Sequence, residues 1–277
     1  MDVQCCVCLG RGTTQLIDPI RKIHRCRVCT HAFTEGVTDS NEIYVEEYFD
    51  EEHKHWFNNP NTRLFRWIHG YIRRWAGEHP LRLLDVGCGR GDFLKYLQQV
   101  DPQIRLWGID LAPNEAPGIT FLRGDVHTAP IQETFDVITG LTVIEHLQHP
   151  DVFVARLAQL LRPGGRIILT TDNTGGLLYS TARVLRRCGI RSAYERLYDE
   201  HHLHHFTNQS FRKLLERHGF DVVVQRNHNY PLKAVDAPLQ GPVMEALYLA
   251  AVATMFAAST VLRNGILQTA VCQKTPV

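Results

Sequence analysis

Three glycines at alternate positions, Gly87, Gly89 and Gly91, follow the apolar run Leu83-Leu84-Asp85-Val86 and precede an amphipathic pattern that begins Asp92-Phe93-Leu94. Lacking a Cβ, such a loop turns sharply and lets a ligand approach the main chain, and the helix after it offers unpaired N–H groups. Asp85 stands just ahead of the first glycine, and the spacing is G-x-G-x-G, not the G-x-G-x-x-G of dinucleotide sites. A carboxylate there repels a pyrophosphate and suits a cationic group. Asp110 closes the run Leu106-Trp107-Gly108-Ile109, about 20 residues beyond the loop, where both carboxylate oxygens can take a ribose diol. Asp125, in Gly124-Asp125-Val126, can accept from an adenine amino group. Cys88, Leu111 and Val126 neighbour these acids and complete the candidate cofactor-binding set.

A second chemistry opens the chain. Cys5-x-x-Cys8 and Cys26-x-x-Cys29 are two knuckles seventeen residues apart, a spacing suited to tetrahedral zinc. Four thiolates close the coordination sphere and leave no position for water, so this zinc is expected to be structural, holding together a module too small to hold itself. Cys6 competes as a ligand, but its i+3 neighbour is Leu9, which favours the pairing of Cys5 with Cys8.

The elements that must position these residues show as changes of texture. A zinc-binding module spans residues 1–33, and a polar, aromatic connector spans 34–80. From Leu81 onward short apolar runs alternate with helical patterns: LRLLDVG, DFLKYLQQV, IRLWGID, FDVITGL, DVFVARLAQLL and GRIILTTD. Such alternation predicts βαβ units and a parallel sheet. FTNQSFRKLLERHGF predicts a helix with Thr207 as N-cap, and DVVVQRN and GILQTAVCQK predict the closing strands. The uncharged run Ala246 to Leu262 falls short of the ~20 residues of a membrane span. It is expected to be a buried or partner-facing helix, with peripheral membrane contact as the alternative. In the connector, Tyr44, Tyr48, Phe49, Trp56 and Phe57 are expected either as pocket walls or as plain core.

Composition narrows the function classes. With 277 residues, 44% hydrophobic and 21% charged, the chain fits one full-sized α/β domain and a small appendage. A formal net charge of +1, without a basic aromatic stripe, argues against nucleic acid as a partner. The start Met1-Asp2-Val3-Gln4-Cys5 has no basic region leading into an apolar stretch, and the clustered cysteines favour metal over disulfides, so a cytoplasmic setting is expected.

The glycine loop, the strand-end acid and the Gly124-Asp125 pair together resemble the class I S-adenosylmethionine-dependent methyltransferases. Phe135-Asp136-Val137-Ile138, Ile144-Glu145-His146-Leu147 and Leu161-Arg162-Pro163-Gly164-Gly165 match that family's fourth and fifth strand regions in order, and the resemblance covers roughly Leu81 to Gln225. It implies a Rossmann-like, seven-stranded α/β sheet over residues 81–277, with a cap insertion at about 174–205 and S-adenosylmethionine as cofactor. Cysteine-rich heads like this one precede methyltransferase domains acting on sugars and natural products. The implied reaction is therefore methyl transfer to a small, hydroxyl-bearing acceptor. C-methylation of a deoxysugar nucleotide and a non-catalytic partner subunit are the alternatives.

The acceptor pocket of this fold lies at the carboxyl ends of the strands, which brings Glu145 and His146 forward as catalytic candidates. A neutral imidazole can take a hydroxyl proton near pH 7. In ubiquinone-biosynthesis O-methyltransferases and small-RNA methyltransferases a similar E-x-x-E-H segment binds a divalent metal, but here Thr142 replaces the first Glu, which argues against a catalytic metal. An H-L-x-x-F-[ST] element of the same group maps onto His202, Leu203, Phe206 and Thr207, making His202 a further general-base candidate. Arg183, Arg186, Arg187, Arg191 and Arg196 either bind a phosphorylated or sugar-linked acceptor or form a solvated helix face with Glu195, Asp199 and Glu200.

Overall fold

The computed structural model describes residues 3–36, 58–199, 201–236 and 241–275. The candidate pocket walls Tyr44, Tyr48, Phe49, Trp56 and Phe57, and the acid Glu200, lie outside the described residues. Three short strands open the chain: β1 (Thr14–Asp18), β2 (Ile23–Cys26) and β3 (Ala32–Thr34). Helix α1 (Thr62–Ala76) leads into β4 (Leu81–Val86), α2 (Asp92–Val100), β5 (Ile104–Asp110), β6 (Ile119–Arg123), β7 (Phe135–Leu141), α3 (Pro150–Leu160) and β8 (Leu161–Asp172). The chain continues through α4 (Leu177–Arg187), α5 (Ser192–Leu197), β9 (His204–His205), α6 (Asn208–Arg217), β10 (Phe220–His228), α7 (Pro242–Val261) and β11 (Leu267–Lys274).

The seven-stranded sheet runs β10-β11-β8-β7-β4-β5-β6. Strands β4 to β8 pair in parallel, and β11 is antiparallel to both neighbours. Both faces are covered, so the inner strands are apolar almost throughout. One face packs Leu84, Ile138 and Leu169 against Phe153 and Leu157 of α3 and Phe211 of α6. The other packs Leu83 and Leu106 against Ile68 and Ile72 of α1 and Phe93 and Leu97 of α2. Strand β4 has β5 on one side and β7 on the other. The loops leaving β4 and β7 therefore part in opposite directions and open a crevice at the carboxyl ends of these strands.

The N-terminal strands form a second sheet, β1-β2-β3-β9, whose last strand comes from residues 204–205. Ala32 pairs with His205 and Phe33 with His204. Cys5, Val7, Cys26 and Cys29 share a core with Leu84 and Phe153 of the large domain. So short a segment encloses little interior of its own; here it takes both a strand and a hydrophobic floor from the domain behind it. The 174–205 segment thus ends inside the small sheet. Arg186 of α4 adds an ion pair to the buried Asp18, 3.0 Å between Nη2 and Oδ2, and lies over the Tyr194 ring at 4.0 Å.

Of the two expectations for the C-terminal apolar stretch, a buried or a partner-facing helix, burial is met along one side only. In α7, Val252 and Ser259 are buried, whereas Val243, Met244, Leu247 and Val261 are exposed. Among the described residues it is the one helix long and apolar enough to cross a membrane, with mean hydropathy 1.5 over an 18-residue window of which 11% is buried. A helix apolar on every side has no face marked for the interior, and only one side of this one meets protein. Asn229 tethers its far end by donating to the Phe256 carbonyl at 3.1 Å and the Ser259 hydroxyl at 2.9 Å.

Candidate active site

The glycine loop leaves β4 through Gly87, at φ +65°, where an added Cβ would fall 2.3 Å from Cγ2 of Val143. Close approach of the β4 and β7 loops thus demands glycine here. The Gly89 amide donates to Asp110 Oδ2 at 2.8 Å, and the Ala112 amide donates to Oδ1 at 2.9 Å. Each Asp110 oxygen is thereby aimed by one N–H and retains a lone pair for a ligand hydroxyl. The Asn114 side chain donates to the Gly89 carbonyl and closes the loop from the far side.

Asp85 is buried under the loop, with the Thr139 hydroxyl donating to Oδ1 at 2.6 Å. Burial pushes its carboxyl up to about 7, against the Thr139 hydrogen bond and with help from the Asp110 charge. A buried carboxyl raised in this way favours a cation brought alongside it. Asp125 sits exposed at the rim, its Oδ1 accepting from the His127 amide at 2.9 Å. Cys88, Leu111 and Val126 line the same cleft. Asn114 and Thr139 were missed in the sequence, where nothing marks them beyond their positions after β5 and inside β7.

Across the crevice, Glu145 and His146 occupy a 3-10 turn, Ile144–His146, after β7. His202 approaches from the segment that leads into β9. Its Nδ1 lies 2.9 Å from Oδ2 of Asp172, the last residue of β8, and the Tyr179 hydroxyl donates to the same oxygen at 2.7 Å. Burial opposes charge on His202, but the Asp172 and Glu145 carboxylates outweigh it and raise the imidazole to about 9. His146, its Nδ1 3.0 Å from the His201 carbonyl, is pushed down to about 3 by burial and then by the His202 charge. The Glu145 carboxyl is pushed up to about 7 by burial and by Asp172. One metal-ligating atom each of Glu145, His146 and His202 lies within 4.8 Å of the others. Asp172 and Tyr179 are functional candidates that the sequence motifs do not mark. Asp172 carries the same signal as Asp110, an acid ending a buried parallel strand.

A cavity of about 1640 Å³ joins the two halves, lined at one end by Asp85, Gly87 and Asp110 and at the other by Glu145, His146, Asp172 and His202. Tyr248 and Met255 of α7 form part of its wall. Several of the arginines considered for phosphate are engaged elsewhere. Arg183 donates to the Thr174 carbonyl at 2.7 Å, Arg186 pairs with Asp18, and Arg196 donates to the Asp236 carbonyl at 2.5 Å. Arg187 and Arg191 are exposed.

In the small module the four sulfurs of Cys5, Cys8, Cys26 and Cys29 lie within 4.8 Å of one another, with Cys5 and Cys29, and Cys8 and Cys26, each 3.5 Å apart. Tetrahedral zinc with bonds of about 2.3 Å holds its sulfurs about 3.7 Å apart. The set therefore fits one ion.

A family model described as a methyltransferase domain matches residues 60–225, more than half of the chain. A ubiquinone biosynthesis O-methyltransferase of Nitrosococcus oceani is 32% identical over 146 residues, covering 47% of this chain and 60% of that protein. The chain thus spans about three-fifths of the length of that curated relative. The 1,6-didemethyltoxoflavin-N1-methyltransferase of Burkholderia thailandensis, solved with 1,6-didemethyltoxoflavin and S-adenosylhomocysteine, shares the fold at TM-score 0.56 and 15% identity, over 95% of this chain and 99% of that one. Phosphoethanolamine N-methyltransferase 2 of Haemonchus contortus, solved with S-adenosyl-L-methionine, shares it at TM-score 0.59 and 14% identity, over 88% of this chain and 62% of that one. With its glycine loop, strand-end acids and seven-stranded sheet in the matched order, the chain belongs to the class I S-adenosylmethionine-dependent methyltransferases.

Proposed function

We propose that the protein transfers a methyl group from S-adenosylmethionine to a hydroxyl oxygen of a small acceptor. One observation carries this reading: a single cavity runs from the Asp85–Asp110 loop to the His202–Asp172 pair. Asp110 would hold the ribose hydroxyls, Asp125 the adenine amino group and Asp85 the cationic amino-acid end. Bound there, the cofactor supplies an electrophilic methyl carbon on a sulfonium. His202 takes the acceptor's hydroxyl proton at Nε2 while Asp172 orients its ring and stabilises the charged form, and Tyr179 fixes Asp172 in turn. The names of relatives in ubiquinone and malonyl-[acyl-carrier protein] methylation support oxygen as the acceptor atom. Arg183 and Arg186 are taken up by the Thr174 carbonyl and by Asp18, which weighs against these two as phosphate ligands.

The four-cysteine set is read as structural zinc, and the clustering of cysteines at metal-ligand spacing supports a reducing, cytoplasmic setting. The exposed apolar side chains of α7, beside the cavity, support peripheral contact with a membrane. Calorimetric titration with S-adenosylmethionine and S-adenosylhomocysteine, followed by product mass analysis with phenols and sugars, tests the main reading. Micromolar binding and an O-methylated product are expected; folded, zinc-loaded protein that binds neither would favour a non-catalytic partner subunit. The convergence of Glu145, His146 and His202 favours a second reading, acceptor activation by a divalent cation. Turnover that persists after chelation with the structural zinc retained supports proton transfer to His202, and turnover that requires an added cation supports the metal.

A further inference from the structure

Cys6 sits between the two ligands of the first knuckle, yet its side chain faces away from their site. Its Sγ lies 3.9 Å from Nδ1 of His204, and Nε2 of His31 lies 3.1 Å from that same nitrogen. All three atoms fall within 4.8 Å of one another. The donors come from three separate segments: the first knuckle, the residue before β3, and β9. His31 is fully buried in an aromatic box, its ring 4.7 Å from Phe206, 5.3 Å from His204 and 5.8 Å from Phe33. The other His204 nitrogen, Nε2, faces the Gln148 carbonyl at 3.4 Å. A proton held there leaves Nδ1 as the lone-pair nitrogen, the arrangement by which a backbone carbonyl orients a metal-binding histidine.

We propose that Cys6, His31 and His204 form a second zinc site, distinct from the four-cysteine site, that staples the N-terminal module to the methyltransferase domain. Tetrahedral zinc with Zn–N bonds of about 2.0–2.1 Å holds two imidazole nitrogens about 3.3 Å apart, and nitrogen and sulfur slightly farther, in the order of the spacings seen here. One thiolate with two imidazoles is a donor set that suits zinc over magnesium or calcium. Binding releases the Cys6 thiol proton to solvent as the Zn–S bond forms. The three donors leave the fourth tetrahedral position to a water molecule. Because His204 is two residues from His202, the metal also fixes the segment that delivers His202 to the cavity.

The test is zinc content of the full chain by native mass spectrometry and elemental analysis, with X-ray absorption to read the ligands. Two zinc ions per chain and a mixed sulfur and imidazole shell are expected for the unmodified protein. Cys6→Ala and His204→Ala should each retain one ion in an all-sulfur shell. One ion per chain with a sulfur-only shell in the unmodified protein overturns the proposal even if the variants fail to fold, and so do two ions that both survive Cys6→Ala.

Discussion

The two ends of the cavity are built in different ways. The end proposed for the cofactor gathers Asp85 from β4, Gly87 and Gly89 from the loop after it, Asp110 from the last position of β5 and Asp125 from the loop after β6, three neighbouring parallel strands visited in succession. The acceptor end brings Glu145 from the turn after β7, Asp172 from the end of β8, Tyr179 from α4 and His202 from the approach to β9. Geometry at the first end follows from strand order and a tight loop. At the second it depends on the 174–205 segment, tied down by Arg183, by Arg186 on Asp18, and by the β3–β9 pairing that links it to the N-terminal module. A site assembled from successive strand ends inherits the rigidity of the sheet, whereas one assembled from separated segments is only as well placed as the contacts holding them.

The largest expected effect tests that division of labour. His202→Ala should lower turnover by roughly 100- to 10,000-fold, the usual contribution of a positioned general base, and leave S-adenosylmethionine affinity within about twofold in calorimetry. A matched loss of binding would merge the two ends into one unit. Asp110→Ala should do the reverse, weakening cofactor binding by roughly 100-fold, as expected for two hydrogen bonds to a charged acceptor at about 1.5 kcal/mol each. Unchanged affinity would remove Asp110 from the ribose site.

A subtler effect concerns pH. With His202 raised to about 9, its neutral, proton-accepting form is the minor one at pH 7, so kcat/KM should climb with pH, pass half its plateau near 9 and level off above that. Asp172→Asn removes the first of the carboxylates that hold that proton, so the imidazole deprotonates at lower pH and the climb should shift to the acid side, with a lower plateau from the weaker base. A profile that stays in place would detach Asp172 from the proton-accepting role.

The contrast also explains what could be read without coordinates. The glycine loop and its acids were legible because βαβ geometry converts sequence order directly into spatial order: a strand-end residue arrives at the crevice wherever the chain folds this way. The four cysteines were legible for a similar reason, since ligand spacing within each knuckle is set by local turns. Glu145, His146 and His202 were named from motif resemblance, but the union of all three in one cluster depended on a segment more than fifty residues away returning to the turn after β7. Asp172 carried a readable signal, an acid at a strand end, but its partner His202 could not be assigned from periodicity. The choice for α7 between burial and a partner-facing surface was not legible, because hydrophobicity reports what a helix can bury against, and only the packing around it decides how much it does.

The sequence by itself determined the parallel sheet, the cofactor loop and the four-thiolate set, because periodicity and short spacings act through local geometry. Only the tertiary structure decided that β9 completes the small sheet, that His204 meets Cys6 and His31, and that His202 meets Asp172. Those pairings join residues from about 30 to nearly 200 positions apart. Their formation rests on shared burial across both modules, a property of the packed chain that no local segment encodes.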